Sequence, residues 1–533
     1  MKKQSIVYLE RNGKKYAYTN EAYWDKEKQQ SRSRRKLIGH VDPETGEIVP
    51  NRSYKKRDTK PSPSNALPSE GEKLKETIRQ YQRLHYGAAY LLRQIAKTTK
   101  LEATLKAIFP NDYQDLLSLA YYLVLHQQSS LMNYPQWTQR SHAYVKHPLS
   151  SQRISDLFKR VTEDHRIRFF KNLLDSQNNQ EFLVYDTTSI SSYSETLNIV
   201  KHGHSKEDPR LPQFNLAVLY GQSSRLPYSY RILPGNIPDV STIQWLLFHL
   251  EDIQADKVSL VMDRGHHSHQ NILQFLQDGR QFIIGSKVNT TYISQAIDRL
   301  KATNNIQDID VFDEASKVYC FEETLTDHYP TASGKSHYPV KLFLYYDDQS
   351  QVEKNTRFTI RLRELKRKIV AGEVLTKAEM QDKKRYFIEK DGVVENNTEA
   401  IRKQQAYFGW FALETNLLNL DGPEALKVYR NKDVIEKSFA DIKGRLNMRR
   451  AYVSSEQSLE GKFFVQFLAL YLISYIKREM DSQDMFKDWT MDQVFNELDL
   501  IDVYINQDGE MFVGEVLSKQ VKLYEQLKIT PPE

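Results

Sequence analysis

The sequence predicts an α/β fold, and three observations carry that expectation. Between residues 181 and 287, five short apolar stretches have strand length: EFLVYDTTS from Glu181, FNLAVLY (Phe214 to Tyr220), YSYRILPGN (Tyr228 to Asn236), KVSLVMDRG (Lys257 to Gly265) and QFIIGSK (Gln281 to Lys287). The last three alternate with the helical-period segments STIQWLLFHLEDI and NILQFLQDG. The chain is also long enough, at 533 residues with 40% hydrophobic content, for roughly three to five domains with real cores. Three antiparallel-capable strands followed by helix, strand, helix, strand are compatible with a ribonuclease-H-like core.

Taken in order, the chain opens with residues 1–50, where SIVYLE, KYAYTNEAYW and RRKLIGHVD are separated by NG and ETG turns. This pattern predicts a small β-hairpin module. Its cluster SRSRRK supplies Arg32, Arg34, Arg35 and Lys36 as candidate DNA contacts. Residues 51–72 are polar and rich in Pro and Ser, which reads as a linker. Residues 73–175 turn helical, with YGAAYLLRQIAKTTKLEATLKAIFP and YQDLLSLAYYLVLHQ strongly periodic and Pro110, Asn111 and Asp112 expected to separate two helices. Such a unit either binds DNA ends or braces the next domain. Residues 176–287 are expected to form the first part of the core, 288–420 an inserted domain, and 421–480 the last part of the core. Residues 481–533 read as an acidic C-terminal region, with a helix near Met485 to Leu498, a small strand pair near Val503 to Glu515, and dimerisation as a candidate role. No internal repeat is evident.

Net charge is only +6, but its distribution is uneven. Residues 1–60 hold sixteen basic and eight acidic residues, and residues 351–390 hold twelve and six. Residues 481–533 hold four and twelve. Separated basic regions suit a polyanion crossing several parts of a protein, although solvated charged faces have the same composition. The single cysteine, Cys320, excludes an intramolecular disulfide and fits a reducing compartment. Neither a signal peptide nor a membrane span is expected, because the apolar run from Phe463 to Ile476 is short and interrupted by Gln466 and Ser474.

Two aspartates close apolar strands: Asp186 ends FLVYD and Asp263 ends VSLVMD. A carboxylate at the edge of a buried sheet is costly unless it is hydrogen-bonded, paired or bound to metal, so two in one core form a candidate site; strand-end capping is the ordinary alternative. Further on, YRNKDVIEKSFADIK predicts a helix. Within it Tyr429, Lys432, Glu436 and Lys443 fall at intervals of three, four and seven residues, which puts them on roughly one face. Two strand carboxylates and Glu436 are suited to hold divalent cations over a phosphodiester, while Lys432 and Lys443 pair with phosphate and Tyr429 hydrogen-bonds phosphate or stacks on a sugar.

On these residues the chain resembles the DDE transposases of bacterial insertion sequences. The group in question carries a tyrosine, an arginine three further on, a glutamate four beyond it and a lysine seven later. Tyr429, Glu436 and Lys443 match, whereas Lys432 stands at the arginine position and lacks the bidentate fork. YDTTS around Asp186, HGHSKED (His202 to Asp208), LPGN (Leu233 to Asn236), MDRG around Asp263 and ALETNLLNL also resemble the family.

The resemblance implies a magnesium-dependent transposase, with manganese able to substitute. Asp186, Asp263 and Glu436 would be its catalytic metal ligands. It implies double-stranded DNA at terminal inverted repeats and target DNA as substrates, cleavage through a hairpin intermediate, a homodimer on paired ends, and a cytoplasmic, nucleoid-associated location without membrane. It also implies that residues 288–420 form a mostly β insertion that helps hold a flipped base, with Trp410 as a stacking candidate beside core packing. Arg264, Arg445, Arg449 and Arg450 complete the candidate DNA contacts.

Other chemistries find little support. His202, His204, His266, His267 and His269 do not make a zinc signature by spacing alone; hydrogen-bonded histidines are the simpler reading. There is no G-x-S-x-G elbow and no phosphate-cradling G-x-x-x-x-G-K-[ST] loop, and Cys320 reads as a core residue. Two rivals remain: a ribonuclease-H-fold nuclease without strand transfer, and a noncatalytic DNA-binding protein.

Overall fold

The computed structural model describes residues 5–25, 29–50 and 81–533, apart from 128, 146, 177–180, 193, 195–196, 204–209, 256–257, 304–305, 335, 391, 448–449 and 452–454. The expected linker lies outside the described residues, as do Arg449 and most of HGHSKED; the side chain of Arg450 is likewise not described. The chain divides into two compact units, 1–80 and 81–533.

In the first unit, β1 (Ser5–Arg11), β2 (Lys14–Asp25), β3 (Gln30–Val41) and β4 (Ile48–Pro50) form one antiparallel sheet in chain order. The NG turn works as expected: Asn12 and Gly13 both take positive φ, which a two-residue hairpin turn requires. From Ser31 to Lys36, β3 is exposed, with the Arg34 guanidinium 5.1 Å from the Tyr23 ring centre.

The second unit begins with β5 (Gln82–His85) and, among the described residues, six α-helices: Gly87–Thr98, Leu101–Ile108, Tyr113–Leu125, the short Tyr134–Trp137, Ser151–Arg160 and Glu163–Ser176. The break between the second and third falls at Phe109 to Asp112, around the predicted Pro110. Then come β6 (Phe182–Ser192), β7 (Gln213–Gly221), β8 (Pro227–Pro234), β9 (Ser259–Met262) and β10 (Gln281–Ser286). Their spatial order is β8-β7-β6-β9-β10; β6, β7 and β8 are antiparallel, and β9 and β10 run parallel to β6. Strand β7 is buried along its whole length because both faces of the sheet are covered. The helix Glu456–Ser482 packs Phe463 against Phe214 and Phe467 against Tyr230.

That helix is long and apolar enough to cross a bilayer, yet 89% of its apolar window is buried within the protein. It is a core helix, apolar all round because it is surrounded.

Residues 288–420 depart from the expected mostly β insertion. Strands β11 (Phe312–Asp313), β12 (Val318–Pro330) and β13 (His337–Tyr346) do not make a separate layer; with β16 (Trp410–Thr415) they extend the core sheet beyond β10. Between them lie helices Asp348–Val370, Lys377–Tyr386 and Thr398–Gln405, and the hairpin of β14 (Phe387–Lys390) with β15 (Val393–Asn396). The basic sequence RFTIRLRELKRKIV is therefore helical, burying only Phe358, Leu362 and Leu365 along one stripe and leaving its charges outward. Trp410 is 3% exposed and packs against Phe321 and Tyr346, so in this structure it is a core residue and not a stacking platform.

Strand β17 (Arg450–Ala451) pairs with the far end of β6. The acidic C-terminal region packs within the same unit: β18 (Asp502–Ile505) lies between β19 (Met511–Val513) and β5, and Tyr524 Oη donates to Gly87 O.

Candidate active site

The parallel pairing of β6 with β9 ends at Tyr185 opposite Met262. Asp186 and Asp263 are the next residues, so they emerge side by side from neighbouring strands, which lie about 4.8 Å apart. Beyond Met262 the chain turns sharply through Arg264–His266.

The stretch from Tyr429 to Lys443 is not one helix. A first helix, Gly422–Arg430, carries Tyr429; Lys432 caps a second, Asp433–Ala440, which carries Glu436; Lys443 sits in a π-helical turn, Asp441–Arg445. A wider turn shifts the angular phase of the residues in and beyond it, so Lys443 does not continue the face set by the α-helical spacing. The break at Asn431 and Lys432 still brings three of the four residues together.

Tyr429 Oη donates to Asp263 Oδ1 at 2.7 Å, and Lys432 Nζ lies 3.6 Å from the same oxygen and 3.5 Å from Glu436 Oε1. Lys432 is thus an ammonium between two carboxylates. Burial alone would raise the pKa of Asp263; the Tyr429 hydrogen bond, the Lys432 charge and the Arg264 N–H outweigh it and hold the carboxyl below its usual range. Tyr429 reaches this position because residue 285 is glycine. A Cβ there would stand 2.4 Å from Tyr429 Oη. Glu436 is 62% exposed and open to an incoming ligand.

Asp186 is held differently. Its Oδ1 accepts the Thr187 N–H at 2.7 Å and lies 3.7 Å from His266 Nε2. His266 is buried and its Nδ1 is 3.0 Å from Asp239 O; since a carbonyl only accepts, Nδ1 carries the proton. Asp239 also accepts the Thr187 hydroxyl at 2.7 Å. Sequence reasoning misses Asp239, although it follows LPGN by only three residues.

It also assigns no role to the acid within ALETNLLNL. That residue, Glu414 on β16, is 0% exposed and carries four donors: His267 Nε2 at 2.9 Å, Ser286 Oγ at 2.7 Å and Tyr292 Oη at 2.6 Å on one oxygen, Tyr329 Oη at 2.5 Å on the other. Burial pushes its pKa upward, but His267 and the two tyrosines more than compensate, and the net direction is down. The network ties the turn after Asp263 to β10, β12 and β16. His266 and His267, which follow Asp263, are therefore buried and hydrogen-bonded.

The remaining candidates divide. Arg264 is exposed beside Asp263. Arg445 is largely buried, paired with Asp492 and set over the Phe495 ring, which makes it a brace toward the C-terminal region in this structure. Among the described residues, no three His, Cys, Asp or Glu side chains are gathered as a metal cluster. Lys432 links Asp263 to Glu436, and Asp186 is directed toward His266. The donors are hard carboxylate oxygens, the chemistry that magnesium and manganese select, and a cation already stands between two of them.

Comparison with known proteins adds a family. The family described as Transposase DDE domain matches residues 177–472. No curated protein matches the chain. Among solved structures, a piggyBac transposase synaptic complex with hairpin DNA is 8% identical, with a TM-score of 0.38, over 73% of this chain and 69% of that one. A likeness at that level carries no weight for fold or reaction.

Proposed function

The chain belongs to the DDE-domain transposases, and from that premise we propose that it cleaves DNA at the ends of a mobile element and joins the freed ends to target DNA, with Asp186, Asp263 and Glu436 as its metal-holding residues. One observation carries the reading. Asp263 and Glu436, 173 residues apart in sequence, are joined through Lys432 beside Asp186, which does not close its strand as expected but stands within β6 just past its last pair with β9. The strand order β8-β7-β6-β9-β10 supports a ribonuclease-H-like core under them.

Magnesium bound by these carboxylates would polarise the scissile phosphodiester and favour attack by water or a 3′ hydroxyl. Tyr429 orients Asp263 and, with Lys432 and the Arg264 N–H, holds its pKa below the usual range. Lys432, whose ammonium lies beside both Asp263 and Glu436, would have a phosphate oxygen as its natural partner were those carboxylates to hold a metal, and exposed Arg264 extends the positive rim. The exposed Arg32, Arg34, Arg35 and Lys36 fit backbone contacts to DNA, as does the basic helix Asp348–Val370. Hairpin formation at the ends, a homodimer on paired ends and a cytoplasmic site of action belong to the same proposal and rest on family resemblance.

The test uses purified full-length chain, labelled DNA from the element ends, magnesium and a target plasmid. Cleavage followed by insertion is expected, abolished by Asp186→Asn and Asp263→Asn. Linear cleavage without insertion sinks strand transfer; activity unchanged in both variants sinks the catalytic assignment.

A further inference from the structure

We propose that the cleft around Lys462 binds a small amphipathic anion, an acid group carried on an apolar body, an inference that does not depend on DNA being the substrate. The cleft has a volume of about 740 Å³. That size is within the range of pockets for small organic ligands, roughly 300–1,000 Å³. It lies between the end of helix Tyr113–Leu125, helix Ser151–Arg160 and helix Glu456–Ser482, and one side is closed by Leu446 and Asn447, which follow the π-helical turn Asp441–Arg445.

Lys462 stands apart on its own helix. There Glu460 pairs with Arg166, Lys477 with Asp441 and Glu479 with Lys528. Lys462 is largely but not fully buried, and among the described residues it has neither a hydrogen bond nor an ion pair; burial pulls its pKa down with no charged neighbour to oppose it. An ammonium taken out of water without a partner is costly, and a bound anion recovers that cost. Ser458 lies one turn before it on the same face and also lines the cleft. Ser455 Oγ donates to Ser458 Oγ at 2.9 Å, which leaves the Ser458 proton free to donate in turn. Helix Ser151–Arg160 brings its first residue, and with it the positive end of its dipole, to the rim.

The rest of the wall decides what carries the anion. Leu131, Ile154, Phe158 and Leu446 are apolar, and among the described lining residues Lys462 is the one charged group. A nucleic-acid backbone calls for a row of exposed cations along its phosphates. One recessed ammonium among apolar side chains instead suits a single acid head group followed by a hydrocarbon or aromatic body. Helix Asp433–Ala440 runs directly into the π-helical turn that ends beside Leu446, so an occupant touches the segment that bears Glu436.

The test is a fluorescence titration of the full chain with anilinonaphthalenesulfonate and with phenylnaphthylamine, the same aromatic body without the acid group. The sulfonate is expected to bind about tenfold tighter or more. Lys462→Met should bring it down to the affinity of the amine with an unchanged or higher melting temperature, and Lys462→Arg should keep the preference. Ser151→Trp, at an exposed rim position, narrows the mouth without a demand on the core and should weaken both probes. Decanoate should displace the sulfonate, and decyltrimethylammonium should not. Equal affinity for the two probes, no binding of either, or a preference that survives Lys462→Met overturns the site. Duplex DNA that displaces the sulfonate as well as decanoate does would assign the cleft to a nucleic-acid surface and overturn the small-molecule occupant.

Discussion

Glu414 and Glu436 are the same residue type used in opposite ways. Glu414 is sealed in the sheet and receives four donors from four other segments of the chain. Glu436 is exposed and has one lysine at 3.5 Å. A saturated carboxylate has no capacity left for a ligand and serves as a fastener; an undersupplied one keeps its lone pairs for a cation. Between them stands Asp263, with one strong donor and one ammonium. The number of donors, more than the depth of burial, separates structure from chemistry here.

The sharpest break of this comparison is a pair of isosteric changes. Glu436→Gln should reduce end cleavage by at least about a hundredfold with an unchanged melting temperature. Glu414→Gln should instead destabilise the fold by about 3–5 kcal/mol, because the amide puts an NH2 where a buried carboxylate oxygen accepts from donors, leaving that network unsatisfied. Denaturant unfolding and cleavage assays on both variants decide the matter; a stable but inactive Glu414→Gln would erase the distinction.

Next in size is Tyr429→Phe. It removes the 2.7 Å hydrogen bond that orients Asp263 and helps to hold its pKa low. The metal concentration for half-maximal cleavage should rise about 10- to 100-fold with little change in stability. An unaltered metal dependence would mean that Tyr429 only packs.

Asp499 tests the comparison from the other side. Burial pushes its pKa up to about 6, against a smaller downward pull from His85 and the Ala88 N–H. A carboxyl with a raised folded pKa adds stability at acid pH, and the contribution is lost as pH rises from about 4 through about 6. Asp499→Asn should therefore stabilise the protein by about 1–2 kcal/mol at pH 7.5, the gain vanishing near pH 4. A pH-independent effect in thermal melts would reject burial as the cause.

The smallest effect is expected for Lys432→Arg. It keeps the charge between Asp263 and Glu436 and restores the bidentate fork, so end binding should hold or improve by a few-fold. A large loss of cleavage in that variant would mean that Lys432 is directed away from phosphate.

The strands bearing Asp186 and Asp263 are legible because burial on both faces writes a continuous apolar run into sequence, and an acid ending such a run stands out. The Tyr429, Lys432 and Glu436 cluster is legible through its spacing, although the chain reaches it by two helices and a wider turn. Glu414 is not, since its partners His267, Ser286, Tyr292 and Tyr329 are separated from it by 85 to 147 residues. Asp239 and Lys462 escape notice for a related reason: nothing in a charged residue's sequence neighbourhood reveals what its head group will face once folded. Trp410 and Arg445 show the converse, for a tryptophan and an arginine in suggestive sequence surroundings are claimed by Phe321 and Asp492.

The pairing of β5 with β18 has a consequence in time. Arg83 and Asp502, 419 residues apart, make a 2.7 Å ion pair across it. At about 5–20 residues per second, β5 leaves the ribosome roughly 20 to 80 s before its partner exists. The helical part is made early and finished late, so synthesis of β18, and not of β5, sets the moment at which this unit closes.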